Sequence, residues 1–186
     1  MMKEYWKGGN MLYPVPAVLV TVGNMEKKNV FTVAWCGTVC TNPPMLYISV
    51  RPERYSYNMI LESKEFVVNL TTEALAYATD YAGVKSGKDI DKFEKLKLTP
   101  IESKFVACPS IDESPVNIEC RVKEAIPLGS HTMFLAEVLG VTVDGSYIDE
   151  KGKFDLKLAK VMTYSHGEYY GLGEYLGKFG YSVKKK

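Results

Sequence analysis

Apolar residues fall along the chain mostly in short runs of β type. Pro16–Val22 reads P-A-V-L-V-T-V, and Val30–Trp35 reads V-F-T-V-A-W, dense in β-branched and aromatic residues. The segment G-N-M-E-K-K-N between them has the composition of a hairpin turn. Met45–Val50 forms the next run and begins after Pro43 and Pro44, which suit a strand's start better than its interior. Glu65–Leu70 is a further strand, and Asn117–Ala125 alternates strictly, as a half-buried strand should. His131–Val143 is long enough for a bent strand, with Gly140 at a natural bulge position. A late strand, Val161–Tyr164, precedes a tail rich in tyrosine and glycine.

Helical spacing is confined to short stretches. Tyr57, Ile60 and Leu61 share one face in S-Y-N-M-I-L-E-S, and Leu75, Ala78 and Thr79 do so within Thr72–Tyr81, where Thr71 or Thr72 could cap the helix. Gly83–Pro100 reads as a polar loop holding a short helix in D-I-D-K-F-E-K-L. The total is about six or seven strands and two or three helices, with strands in runs. This predicts a mainly β domain, an antiparallel sheet or closed barrel, over a doubly wound fold. Neither a repeat nor a linker divides the 186 residues, so a single domain is expected, with a core over about 11–172 and a tail over 173–186.

Composition narrows the classes. Hydrophobic residues make up 46% and charged residues 24%, and the net charge of +1 gives no reason to expect a nucleic-acid partner. The lysine run Lys184–Lys186 reads as a solvated tail. No segment approaches the roughly 18 apolar residues that span a bilayer. The N-terminus M-M-K-E-Y-W-K-G-G-N lacks the apolar stretch of a secretory signal, so a cytoplasmic protein is expected. Cys36, Cys40, Cys108 and Cys120 form no C-x-x-C pair and read as small buried hydrophobes, with no metal site. On one strand Cys36 and Cys40 would share a face about 13 Å apart, too far for a disulfide.

G-x-S-x-G, H-E-x-x-H and Walker motifs are absent, and His131 and His166 are not spaced as a metal pair. Three segments carry chemical interest. Phe31–Val50 runs small and hydroxyl residues into a turn, leaving backbone groups of Thr38, Val39, Cys40 and Thr41 free for the edge of a flat ring; a plain strand connection is the alternative. R-P-E-R-Y-S-Y-N places Arg51, Arg54, Tyr55 and Ser56 at a strand end entering a helix, which suits an anion as well as an ordinary charged cap. Y-A-G-V-K-S-G-K-D-I-D-K-F offers Lys85, Lys88 and Lys92 beside Ser86 and two glycines, or else a solvated loop.

Together, T-V-A-W with T-N-P-P, S-V-R-P-E-R-Y-S-Y, E-F-V-V-N-L, Y-A-G-V-K-S-G-K-D-I-D-K-F, P-V-N-I-E-C-R-V and G-S-H-T-M-F-L-A-E-V resemble, in order, the flavoredoxin and flavin reductase-like FMN-binding split barrels. The resemblance implies an antiparallel split β-barrel of Greek-key type, paired as a homodimer, with tightly bound FMN near the subunit interface. It implies that Thr32, Val33, Ala34 and Trp35, with Thr38, Val39, Cys40 and Thr41, lie along the isoalloxazine and ribityl parts. Arg51, Tyr55, Ser56, Ser86 and Lys92 would surround the phosphate. Loss of Lys92 would then weaken FMN while leaving the apo fold intact. His131 would stand at the ring face where a nicotinamide docks. The chain departs from the family at A-W-C-G, with Gly37 unusual there, and at Lys88, where arginine is common.

No protein nucleophile is implied, because the flavin carries the chemistry. Two functions follow from the resemblance: an NAD(P)H-dependent flavin or ferric reductase, and a flavoredoxin-type carrier served by a redox partner protein with no nicotinamide activity of its own. A flavin-binding protein without redox turnover is the third.

Overall fold

The computed structural model describes residues 2–183, and the lysine run 184–186 lies outside them. Along the chain the strands are β1 (Val15–Pro16), β2 (Val18–Gly23), β3 (Lys28–Val33), β4 (Cys36–Thr41), β5 (Pro44–Val50), β6 (Glu65–Asn69), β7 (Pro100–Ile101), β8 (Ser110–Ile111), β9 (Val116–Pro127), β10 (Thr132–Val143), β11 (Met162–Ser165) and β12 (Glu168–Gly171). The helices are α1 (Ser56–Ser63), α2 (Ala76–Val84) and α3 (Lys92–Leu96). Seven strands form one antiparallel sheet in the order β3-β2-β6-β9-β10-β5-β4. Among the described residues no helix is long and apolar enough to cross a membrane.

The continuous apolar run of β2 follows from burial on both faces. Val18, Val20 and Val22 point into the barrel with Phe31, Ile48, Phe66 and Phe134. Leu19 points the other way, into a second cluster built by Leu75, Ala78 and Ala82 with Phe93 of α3. Each such side chain contributes about 1.5–3 kcal/mol by leaving water. In β9 the expected alternation holds over Cys120–Lys123 and then breaks, because a bulge opposite Leu135–Ala136 leaves Lys123 and Glu124 both exposed.

The chain turns a corner between β3 and β4. The predicted strand Val30–Trp35 ends at Val33, because Trp35 carbonyl accepts from Ser49 N–H at 2.8 Å and the chain leaves β2 to pair with β5. The register of β4 then shifts between Thr38 and Cys40, so Cys36 lies opposite Ile48 and Cys40 opposite Met45. That bulge overturns the expectation that the two thiols share a face. Cys108 and Cys120 are fully buried, as expected, while Cys36 and Cys40 are partly exposed. Gly37, the unusual residue, leaves room for Tyr47: a Cβ there would sit 3.0 Å from its ring.

Gly140 does mark a bulge, since the β9–β10 register shifts between Val138 and Gly140. It also admits the Phe105 ring, which a Cβ would meet at 2.5 Å. The helix expected from Thr72 begins with a 3-10 turn at Glu73–Leu75. Neither threonine caps it: Thr72 makes no capping bond, and Thr71 hydroxyl donates to Ala17 carbonyl. The tyrosine- and glycine-rich tail contributes β12, a strand the pattern did not disclose, and β1 pairs with β11 so that Val15 lies opposite Tyr164.

A buried polar seam fixes the 98–115 segment to the outer face of the sheet. Asn69 Nδ2 donates to Leu19 carbonyl (3.0 Å) and to Thr21 Oγ1 (3.2 Å), and its Oδ1 accepts from Ile111 N–H (3.0 Å) and Asn117 Nδ2 (2.8 Å). Glu119, 1% exposed, accepts from the backbone N–H groups of Lys104 and Phe105. Truncating Asn69 strands several of these groups without water. Asn69→Ala is therefore expected to cost about 3 kcal/mol. Urea unfolding should show a lower midpoint with an unchanged slope; an unchanged midpoint would show that the seam contributes no stability.

Candidate functional site

A cavity of about 500 Å³ opens where the chain turns its corner. Phe31–Trp35 line its base, Ser49, Val50 and Arg51 follow from the end of β5, and Asp80, Gly83 and Val84 close one side from α2. Tyr13, Tyr164 and Tyr169 add an aromatic wall. This wall exists because β1 and β11 pair, bringing both ends of the chain together: Tyr13 and Tyr164 rings lie 6.1 Å apart, Tyr164 and Tyr169 rings 5.5 Å. Tyr169 hydroxyl donates to Asp80 at 3.4 Å, and burial, then the Asp80 charge, push its pKa up to about 12.

At the mouth His131 packs on Trp35 with ring centroids 4.6 Å apart, and its Nδ1 lies 2.9 Å from Ser130 Oγ. Partial burial lowers the His131 pKa from the usual 6.5, and the nearby Arg51 charge lowers it further. Both effects favour the neutral imidazole.

A narrower notch of about 100 Å³ adjoins this cavity, and Phe31, Arg54 and Val84 line both. Ser56, 1% exposed, opens α1 here, and its hydroxyl accepts from Asn29 Nδ2 at 2.8 Å, so its own hydrogen can be donated to an anion. Ser86, Gly87 and Lys85 come from the loop after α2. Gly87 is required by close approach, since a Cβ would lie 2.2 Å from Asn29 Oδ1. The first turn of α1 holds no acidic residue; Tyr57 N–H there donates to Arg54 carbonyl at 2.9 Å, and no carboxylate opposes the helix's positive dipole end.

Lys92 forms the bottom of the notch. It is 3% exposed, and its ammonium donates to Val30 carbonyl (2.9 Å) and Ala82 carbonyl (2.7 Å). Burial, and then the Arg54 charge, lower its pKa from 10.5 to about 8. An ammonium so placed has one N–H left for a ligand in the notch. Lys92 is thus also part of the framework, contrary to the expectation that Lys92→Ala leaves the apo fold intact: that change strands two carbonyls.

The structure brings most of the expected residues together. Thr32, Val33, Ala34, Trp35, Arg51 and His131 line the cavity, and Tyr55, Ser56, Ser86 and Lys92 line the notch. Thr32 contributes backbone and methyl surface, because its hydroxyl donates to Thr79 carbonyl. Thr38, Val39, Cys40 and Thr41 line neither space. The switch at Trp35 carries β4 to the far side of β5, at an edge of the sheet, where Val39 is 51% exposed. The sequence reading missed the tyrosine wall and Asp80, whose partners lie far away along the chain. Arg54, noted only as one of several basic residues, proves to be the hinge between the two spaces, its Nη1 donating to Gly83 carbonyl at 2.8 Å.

Residues 10–173 match the family model of the flavin reductase like domain. An uncharacterized protein of Archaeoglobus fulgidus is 40% identical over 157 residues, 84% of this chain and 87% of that one. The structure is similar to the flavoredoxin of Desulfovibrio vulgaris (Miyazaki F), with TM-score 0.90, 32% identity, and coverage of 98% of this chain and 100% of that one. It is also similar to a flavoredoxin from Methanosarcina acetivorans, with TM-score 0.87, 28% identity and the same coverage.

The state of Lys92 sets a pH dependence. In the folded chain the ammonium is disfavoured, so between about pH 8 and 10.5 the unfolded chain holds this proton more tightly, and the group's contribution to stability rises with pH across that window. An anion in the notch favours the charged form and raises its pKa. Phosphomonoester affinity should therefore fall as pH rises through 8 toward 9.5, with a proton taken up on binding. Isothermal titration in two buffers of different ionisation enthalpy measures both. Constant affinity over that window would confine Lys92 to its two carbonyls.

Proposed function

The chain belongs to the flavin reductase-like family, and we propose that it binds one FMN per subunit and uses it to transfer electrons. The observation that carries this reading is a pair of adjoining spaces: a cavity of about 500 Å³ that shares Phe31, Arg54 and Val84 with a cationic notch of about 100 Å³. The larger space has the size and mixed lining of a cofactor site, and the smaller suits one phosphate. Ser56, Ser86, Arg54 and Lys92 would hold the phosphate, and the backbone and small side chains of Thr32–Ala34, with Trp35, would lie along the ring. The bound flavin would supply hydride and one-electron chemistry. The protein's share is to anchor, orient and partly shield it, with His131 neutral beside Trp35 at the open face.

A partner protein or a reduced nicotinamide could deliver the electrons. The neutral His131–Trp35 pair favours nicotinamide, since it offers an uncharged aromatic surface at the cavity mouth. Anaerobic mixing with NADH and with NADPH separates the readings: rapid flavin bleaching supports a reductase, and none supports a carrier.

We also propose a homodimer in which β4 meets a second copy. This strand pairs on one side only and exposes Thr38, Val39 and Thr41, so pairing would bring the four residues absent from the cavity to the partner's flavin. Light scattering should give twice the chain mass with FMN present; a monomer mass refutes it.

Apo-protein should bind FMN at least about tenfold more tightly than riboflavin, because a charge-assisted contact to phosphate is worth about 1.5–3 kcal/mol. Arg54→Ala should weaken FMN by about tenfold and leave riboflavin within about threefold. Equal affinity for the two flavins, measured by calorimetry, would defeat the phosphate assignment.

A further inference from the structure

The segments before β1 and after β12 carry apolar surface that their own chain leaves uncovered. Residues 2–12 and 172–178 belong to no helix or strand, and every residue of 2–12 is exposed. Tyr5, Trp6 and Leu12 stand in the first segment, and Tyr175, Leu176 and Phe179 in the second or just beyond it. All six are exposed, Tyr5 at 95% and Leu176 at 87%. Among the described residues none of the six joins a hydrophobic cluster of the chain. Apolar side chains exposed in such density mark a contact with another molecule. The second segment is nevertheless shaped. Lys157 Nζ lies 4.4 Å from the centroid of the Tyr175 ring. Gly180 turns with φ +78°, and Tyr181 N–H donates to Lys178 carbonyl at 2.9 Å. This turn lays the Tyr181 ring where a Cβ on Gly177 would come within 2.7 Å of it. A segment with fixed turns and outward apolar side chains is shaped for a surface.

We propose that these two segments are arms that clasp a second copy of the chain. The inference extends the homodimer reading above and rests on it. Three observations favour this occupant. Both arms leave the small sheet β1-β11-β12, and β1 packs against β4, the strand proposed to meet the partner. The arms therefore continue the surface that β4 begins. Burying Tyr5, Trp6, Tyr175 and Phe179, at about 150–250 Å² each, covers about 600–1,000 Å². A stable interface needs about 800 Å² from each partner. Two-fold symmetry lays each copy's arms on the other, so both copies bury this area. The arms also carry both signs of charge, Lys3, Glu4 and Lys7 in one and Glu174 and Lys178 in the other, so two like copies meet without strong repulsion. A lipid surface would also take aromatic and lysine side chains. Extended backbone, however, brings N–H and C=O groups that lipid leaves unpaired and a protein partner can pair.

The test is dimer dissociation of the full chain, measured by sedimentation equilibrium with FMN present. Wild type is compared with the double variants Tyr5→Ser/Trp6→Ser and Tyr175→Ser/Phe179→Ser. All four side chains are exposed, so the subunit fold is retained. Each variant is expected to weaken the dimer by at least about thirtyfold, because buried aromatic anchors dominate interface energies. Dissociation within about threefold of wild type in either variant overturns the clasp and leaves a dimer made through β4. A wild type that is monomeric at every concentration removes the dimer reading and this one with it. Co-sedimentation with vesicles of phosphatidylcholine and phosphatidylserine tests the other occupant. Vesicle binding that the variants lose, with dimer dissociation unchanged, assigns the arms to lipid and overturns the inference.

Discussion

A buried ammonium joins three elements that otherwise touch only through side chains. Lys92 opens α3, yet it donates to a carbonyl of β3 and to one of α2, so strand and helices are held at fixed separation around the notch. Burying that charge is unfavourable, as its lowered pKa records. The surrounding carbonyls offset part of the cost, and an anion would offset more. Framework and ligand site are therefore one construction, and the energy that the fold leaves unrecovered at Lys92 is available for binding.

The rest of the site follows from how the sheet turns. Burial on both faces commits β2 to the middle of the structure, with the barrel on one side and the α2–α3 layer on the other. Because β3 lies at an edge of the sheet, its continuation is free to cross to β5, and the cavity forms at that crossing. Its base is the main chain and small side chains of Thr32, Val33 and Ala34, flanked by the rings of Phe31 and Trp35. Thr32 shows how tightly this is drawn: its hydroxyl bonds α2, and a Cβ on Gly83 would lie 3.2 Å from its own Cβ.

Much of this was legible beforehand. Runs such as V-L-V-T-V and the strict alternation of N-I-E-C-R-V mark strands by local periodicity, and Gly140 announces its bulge. The basic and hydroxyl residues of 51–56 and of 85–92 each form a cluster in the sequence, and their convergence on one place is what the family resemblance implied. What could not be read depends on contacts between distant segments. The tyrosine wall needs residue 13 to meet residues 164 and 169. The displacement of Thr38–Thr41 from the cavity depends on the pairing of β4 with β5, which the bond between Trp35 and Ser49 leads into. The double role of Lys92 was hidden because a lysine in a polar glycine loop carries no sign of burial.

The pairing of β1 with β11 has a consequence for the order in which the protein is made. Most of the sheet, the corner and the notch are encoded before residue 144, so a nascent chain can form them early. The aromatic wall waits for the hairpin that carries Tyr164 and Tyr169, which follows those elements in the chain and docks on β1, which precedes them. A nascent chain can thus acquire its anion-binding end while the other side of the cavity is still open.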